Sequence, residues 1–97
     1  SNAHLYSADL SNADLSNAHL YSADLSNAYL SGAYLTGADM SNADLYSADL
    51  SNAYLYNANL YSADLSNADL TGVYWVSTTC PDGTNSNDNG NTCESNL

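Results

Sequence analysis

Three sets of side chains in this sequence have types and spacings that do chemistry. Carboxylates come first: the 97 residues hold eleven acidic residues, no Lys or Arg and two His, for a formal charge of −11. Asp24, Asp44 and Asp64 recur at one interval, Asp49 and Asp69 at the same interval, and so do Tyr34, Tyr54 and Tyr74. Carboxylates brought together attract cations or basic proteins, and a row of rings stacks on itself or meets a sugar face or a protein. The third set lies in the tail, where Cys80 and Cys93 bracket a polar loop holding Asp82, Asn85, Asn87, Asp88, Asn89 and Gly90. "NSNDNG" opens like a calcium loop, with oxygen donors at alternating positions and Gly sixth; Asp82, Asn85, Asn87 and Asn89 are the calcium candidates. Asn85 stands where Asp is wanted and Asn96 where a bidentate Glu is wanted, so a turn-rich loop is the preferred reading.

The same composition argues against other chemistries. With nothing to neutralise phosphates, nucleic acid is not a direct ligand. Net acidity also has a plain role in keeping a small protein soluble. His4 and His19 neighbour no nucleophile in a pocket, and no phosphate loop, zinc spacing or paired acid and base appears. The chain reads as no enzyme, and no cofactor is expected. No apolar run approaches the ~20 residues of a membrane helix, and no signal-peptide pattern opens the chain. It begins without Met and reads as a processed or trimmed product; Ser1-Asn2-Ala3 is either a tag remnant or part of the repeat register.

These residues have to be positioned by something, and the repeat supplies it. Cut into fives from Ser1, the chain gives fifteen units through Trp75 without insertion or deletion. Ala holds the third position except at Val73, and Leu the fifth except at Met40 and Trp75. At ~100° per residue, successive Leu residues would circle a helix and mark no face. On a flat strand, positions three and five share a face but the next Ala points away. The chain must therefore turn once per unit. Ser, Asn and Gly in the first two positions tolerate that corner and bond locally to the backbone. A coil with a corner every five residues is a solenoid.

The run A-[DN]-L-x-x, as at Ala8-Asp9-Leu10 and Ala58-Asn59-Leu60, resembles the pentapeptide repeat family across residues 1–75. The resemblance implies an all-β fold, a right-handed quadrilateral parallel β-helix with four units per coil. Fifteen units then make just under four coils, ~4.8 Å apart as paired strands are. Leu25, Leu45, Leu65 and Met40 fill the bore, and Trp75 lids it. The domains expected are a β-helix over 1–75 and a C-terminal loop or cap over 76–97. The Cys-Pro-Asp-Gly…Cys ending resembles tails of bacterial relatives, where it forms such a cap.

Four units per coil place residues twenty apart above one another. Asp24, Asp44 and Asp64 then form one column below His4, with like charges repelling by ~1 kcal/mol per pair in solvent-like screening. Either a cation or basic partner relieves that repulsion, or each Asp bonds a corner amide, which is the preferred reading. Asp49 and Asp69 lie on the next face with Tyr29 and Asp9. Tyr34, Tyr54 and Tyr74 form an aromatic ladder worth ~0.5–1.5 kcal/mol per stacked pair.

Cys80 and Cys93 read as a disulfide that pins the tail, worth ~3 kcal/mol in the chain-entropy model. A bond implies an oxidising compartment, hence export to periplasm or exterior; a reduced pair implies cytoplasm. The open first coil predicts that residues 1–20 stack on another copy or continue a longer protein. Three functions follow. The first is a non-enzymatic scaffold that displays acidic and tyrosine ladders to a protein partner. The second comes from the family resemblance: a DNA mimic that binds DNA gyrase or topoisomerase. The third is calcium-assisted binding of surfaces or glycans.

Overall fold

A computed structural model of the chain describes residues 4–94 and 97. Its smallest element is the corner. The Ala8 amide donates to the Leu5 carbonyl at 3.0 Å, and the same bond joins Ala33 to Leu30 at 3.0 Å and Ala63 to Leu60 at 2.9 Å. Between each Leu and Ala, the second residue of the next unit takes a positive φ: 57° at Ser7, 60° at Asn12, 68° at Gly32. A turn closed in this way with a left-handed third residue suits Gly and Asn, the letters found there, and Ser accepts it at some strain.

Corners bring successive sides back over one another. Parallel bridges join residues twenty apart: His4 to Asp24, Asp24 to Asp44, Asp44 to Asp64 on one side; Asp9, Tyr29, Asp49 and Asp69 on the second. The third side carries Asp14, Tyr34, Tyr54 and Tyr74, and the fourth His19, Asp39, Asn59 and Thr79. Leu25 donates to the Asp44 carbonyl at 2.8 Å, and Asp44 donates back to the Ala23 carbonyl at 2.9 Å. Each fourth-position residue thus aims both backbone groups at the preceding coil and leaves its side chain outside.

The third and fifth positions face inward and make the core. Leu25, Leu30, Leu35, Met40, Leu45, Leu50, Leu55 and Leu60 are fully buried, and the Ala residues beside them are buried too. Leu65 and Trp75, near the C-terminal end, are buried at 4 % exposure. Leu5, Leu10 and Leu15 at the other end are only partly buried, because no described residue covers them.

The backbone pattern runs five residues past the last unit that the Ala/Leu letters mark. Ser77 takes φ 53°, Thr78 donates to Trp75 at 3.3 Å, and Thr79 bridges to Asn59. Thr78 stands where Ala is usual and satisfies its buried hydroxyl on the Leu55 carbonyl at 2.6 Å. Cys80 stands where Leu is usual and is fully buried. Beyond it the chain reverses: Gly83 donates to Cys80 at 2.8 Å, Cys80 to Thr84 at 2.7 Å, and Thr79 bridges antiparallel to Asn85. A 3-10 turn at Ser86–Asp88 follows.

Candidate functional site

The outer wall is where the chain varies, so the candidate site is built from fourth-position side chains and the corners that hold them. In the Asp24–Asp44–Asp64 column, each carboxylate bends back to the next corner. Asp24 accepts from the Ser26 hydroxyl at 2.7 Å and its amide at 3.1 Å. Asp44 accepts from the Tyr46 amide at 3.0 Å, and Asp64 from the Ser66 amide at 2.9 Å. One carboxylate oxygen is thereby fixed at the corner. On the second side Asp49 accepts from Ser51 through both amide and hydroxyl, at 3.0 and 2.6 Å, and Asp69 from the Thr71 amide at 3.0 Å. The amide-bonding reading is the one the geometry carries.

These bonds also set the charge state. The Ser26 hydroxyl and then its amide hold the Asp24 carboxyl below its ordinary value, with a smaller contribution from the His4 charge. Asp39 is lowered by Ser41 in the same order, with His19 contributing. Asp64 and Asp69 are lowered by the hydroxyl and then the amide of Ser66 and Thr71. Donors at the corner favour the ionised form and outweigh what desolvation does in the other direction.

On the third side, Tyr34 and Tyr54 stack with centroids 4.8 Å apart and planes 6° from parallel, and Tyr54 and Tyr74 with 4.7 Å and 3°. Tyr56, at the following corner, meets Tyr54 and Tyr74 edge-on at 6.2 and 6.3 Å. Burial in this stack, and then the neighbouring phenols, push the Tyr54 hydroxyl up. The rings spend their faces on one another. What the column shows to solvent is ring edges and hydroxyls, with the outer face of each terminal ring.

The tail candidates make hydrogen bonds within the chain. Asp82 accepts from the Thr84 amide and hydroxyl, and Asn85 from the Asn87 amide. Asn87 accepts from the Ser77 amide at 2.9 Å, and Asn89 donates to Thr84 and to the Asn85 carbonyl. Among the described residues, no group of three or more His, Cys, Asp or Glu is placed to hold a metal ion. Asn96, the position-twelve residue of the calcium reading, lies outside the described residues.

Cys80 and Cys93 are bonded, with both side chains fully buried. Ser86, also buried, donates its hydroxyl to the Trp75 carbonyl and accepts from the Thr78 amide at 3.0 Å. The tail thus leans on the last coil over Trp75 and Thr78. Beside it lies a depression of about 410 Å³, lined by Leu65, Asn67, Ala68, Leu70 and Leu97. The depression lies where the tail leaves part of the bore's mouth uncovered. Ser86 and Thr78 escape sequence reading because neither sits in a motif.

Stacked coils, a dry bore of Leu and Ala and an outer wall of variable side chains define a solenoid. The model of the pentapeptide repeats matches residues 1–37 and 38–74, in eight copies. The chain belongs to the pentapeptide repeat family. Among solved structures it is similar to alr5209, a pentapeptide repeat protein from Nostoc PCC 7120. The two are 47% identical with a TM-score of 0.75, over 76% of this chain and 61% of that one. It is also similar to HetL from Nostoc sp. strain PCC 7120, a pentapeptide repeat protein involved in regulating heterocyst differentiation. Here identity is 37% and the TM-score 0.56, over 87% of this chain and 41% of that one. The chain therefore spans less than two thirds of the length of either relative. No curated protein matches it. With these relatives the fold is a right-handed β-helix solenoid. No helix among the described residues is long and apolar enough to cross a membrane.

Proposed function

We propose that this protein is a non-enzymatic scaffold: a four-sided column that displays acidic and tyrosine ladders to a protein partner, its mouth partly covered by the disulfide-pinned tail as a cap. One observation carries the reading. Asp24, Asp44 and Asp64 stand one above another with one carboxylate oxygen of each tied to a corner amide. A row of anions held in this way loses little side-chain entropy on meeting a basic surface, which favours recognition.

The gyrase-mimic reading shares the −11 charge. The bonded Cys80 and Cys93 favour an oxidising compartment instead, hence export, and gyrase works in the cytoplasm. Glycan binding through the tyrosine ladder loses support because stacked rings keep their faces from a sugar. The tail oxygens engaged within the chain weaken its calcium component.

The test is capture on immobilised protein at physiological salt, wild type against Asp24→Asn/Asp44→Asn/Asp64→Asn. Asn keeps the corner bond and removes the charge. The reading expects a discrete partner retained by wild type and lost from the triple variant. Equal retention by both would sink it. A gyrase supercoiling assay, expected to show no inhibition, separates the second reading.

A further inference from the structure

On two adjacent sides of the column a tyrosine follows directly beneath a carboxylate. Asp14 bridges to Tyr34, and Asp9 to Tyr29, which bridges in turn to Asp49. Tyr34 stacks on Tyr54 through one face, so its other face is turned toward Asp14. A carboxylate is shorter than a phenol, and it leaves open the place where a fourth ring of the stack would lie. Consistent with an open face, Tyr34 keeps 46 % exposure while stacked, and Tyr29, between two carboxylates, keeps 55 %. Ser11 and Ser16 donate their amides to Asp9 and Asp14 at 3.1 Å each, which fixes one oxygen and leaves the second for a partner. Ser11 and Ser16 hold both carboxyls below their ordinary values, through the backbone amide first at Asp9 and the hydroxyl first at Asp14.

We propose that Asp14–Tyr34 and Asp9–Tyr29–Asp49 form a docking surface for arginine side chains of a protein partner. The guanidinium plane lies on the ring face, and its N–H groups point to the second carboxylate oxygen. Arginine suits this site better than lysine because it is planar, weakly hydrated and forked. These 97 residues contain no Lys or Arg, so neither they nor a second copy of them supplies the group. The occupant proposed is a different protein. Tyr46 lacks this setting: its neighbours twenty residues away are Ser26 and Ser66. The inference rests on the scaffold reading and names the chemistry its partner brings.

Titration calorimetry with hexa-arginine and hexa-lysine peptides at equal ionic strength tests it. Hexa-arginine is expected to bind about tenfold more tightly than hexa-lysine, each ring contributing roughly threefold. Tyr29→Leu/Tyr34→Leu should erase that ratio, and Tyr46→Leu should leave it unchanged. Asp9→Asn/Asp14→Asn, which keeps rings and corner bonds, should weaken both peptides and hexa-arginine more. Equal affinities in wild type, indifferent to the rings, would overturn the arginine site while leaving the acidic scaffold to its own capture test. Binding of neither peptide would overturn it as well.

Discussion

The ring of Tyr54 lies 4.7 Å from that of Tyr74 with planes 3° from parallel, and Tyr56 closes on both from the side. A ladder packed this way stabilises the coils as well as decorating them. Tyr54→Leu removes two stacked contacts, so it is expected to cost about 1–3 kcal/mol in urea unfolding. Tyr6→Leu, at an exposed corner, is expected to stay within about 0.5 kcal/mol. Equal effects would show that stacking adds nothing to the fold.

Glycine placement gives a second prediction. A Cβ on Gly37, whose φ is +71°, would overlap Oδ1 of Asn17 one coil above, and Gly32 and Gly72 stand likewise under Asn12 and Asn52. Gly37→Ala should cost about 1–3 kcal/mol from backbone strain and crowding together. Asn17→Ala in the same chain should recover the crowding part. Additive losses in that double-mutant cycle would contradict the contact.

This second relationship shows how far the letters could be read. The Ala/Leu step and the interval of twenty make the faces legible, because one dry bore repeats one requirement at every side. The second position hid a rule: down each corner column Asn alternates with Gly or Ser, as in Asn12, Gly32, Asn52, Gly72. At Gly32, Gly37 and Gly72 the cause is an Asn side chain of the coil above lying over the glycine, which only the stacked structure reveals. Val76-Ser77-Thr78-Thr79-Cys80 was illegible as a repeat for another reason. Thr78 replaces Ala and brings a hydroxyl that needs the Leu55 carbonyl, a partner 23 residues away. The stacking of the tyrosines was legible as a column, but which ring faces stay open was not.

The corner bonds predict a pH dependence of stability. Asp24, Asp39, Asp64 and Asp69 ionise below their ordinary value of 3.8 in the folded protein. At pH values between folded and unfolded pKa, the unfolded chain binds more protons, so stability there rises with pH. The contribution is fully present above the unfolded value and lost as pH falls through the folded one. Urea midpoints should therefore hold steady near neutrality and fall below about pH 4. Ser26→Ala/Ser41→Ala should flatten that fall; an unchanged profile would remove the hydroxyls as its cause.

Reduction of Cys80–Cys93, which are separated by 13 residues, is expected to lower stability by about 3 kcal/mol. The β-helix should survive it. Thr78, Ser86, Ser77 and Asn87 join the tail to the last coil without the bond, so circular dichroism should keep its β signal in Cys80→Ser/Cys93→Ser. Collapse of that signal would make the disulfide a condition of folding and not of the tail alone.

Site-specific photo-cross-linking in cells tests the proposed function most directly. The cross-linker is placed at position 44 on the acidic column, 54 on the tyrosine ladder and 59 on the fourth side. The account predicts a discrete protein adduct from 44 or 54, lost when Asp24 and Asp64 become Asn, and none of that size from 59. The same adduct from all three positions, or one untouched by the Asn substitutions, would contradict the claim that the ladders are the binding surface.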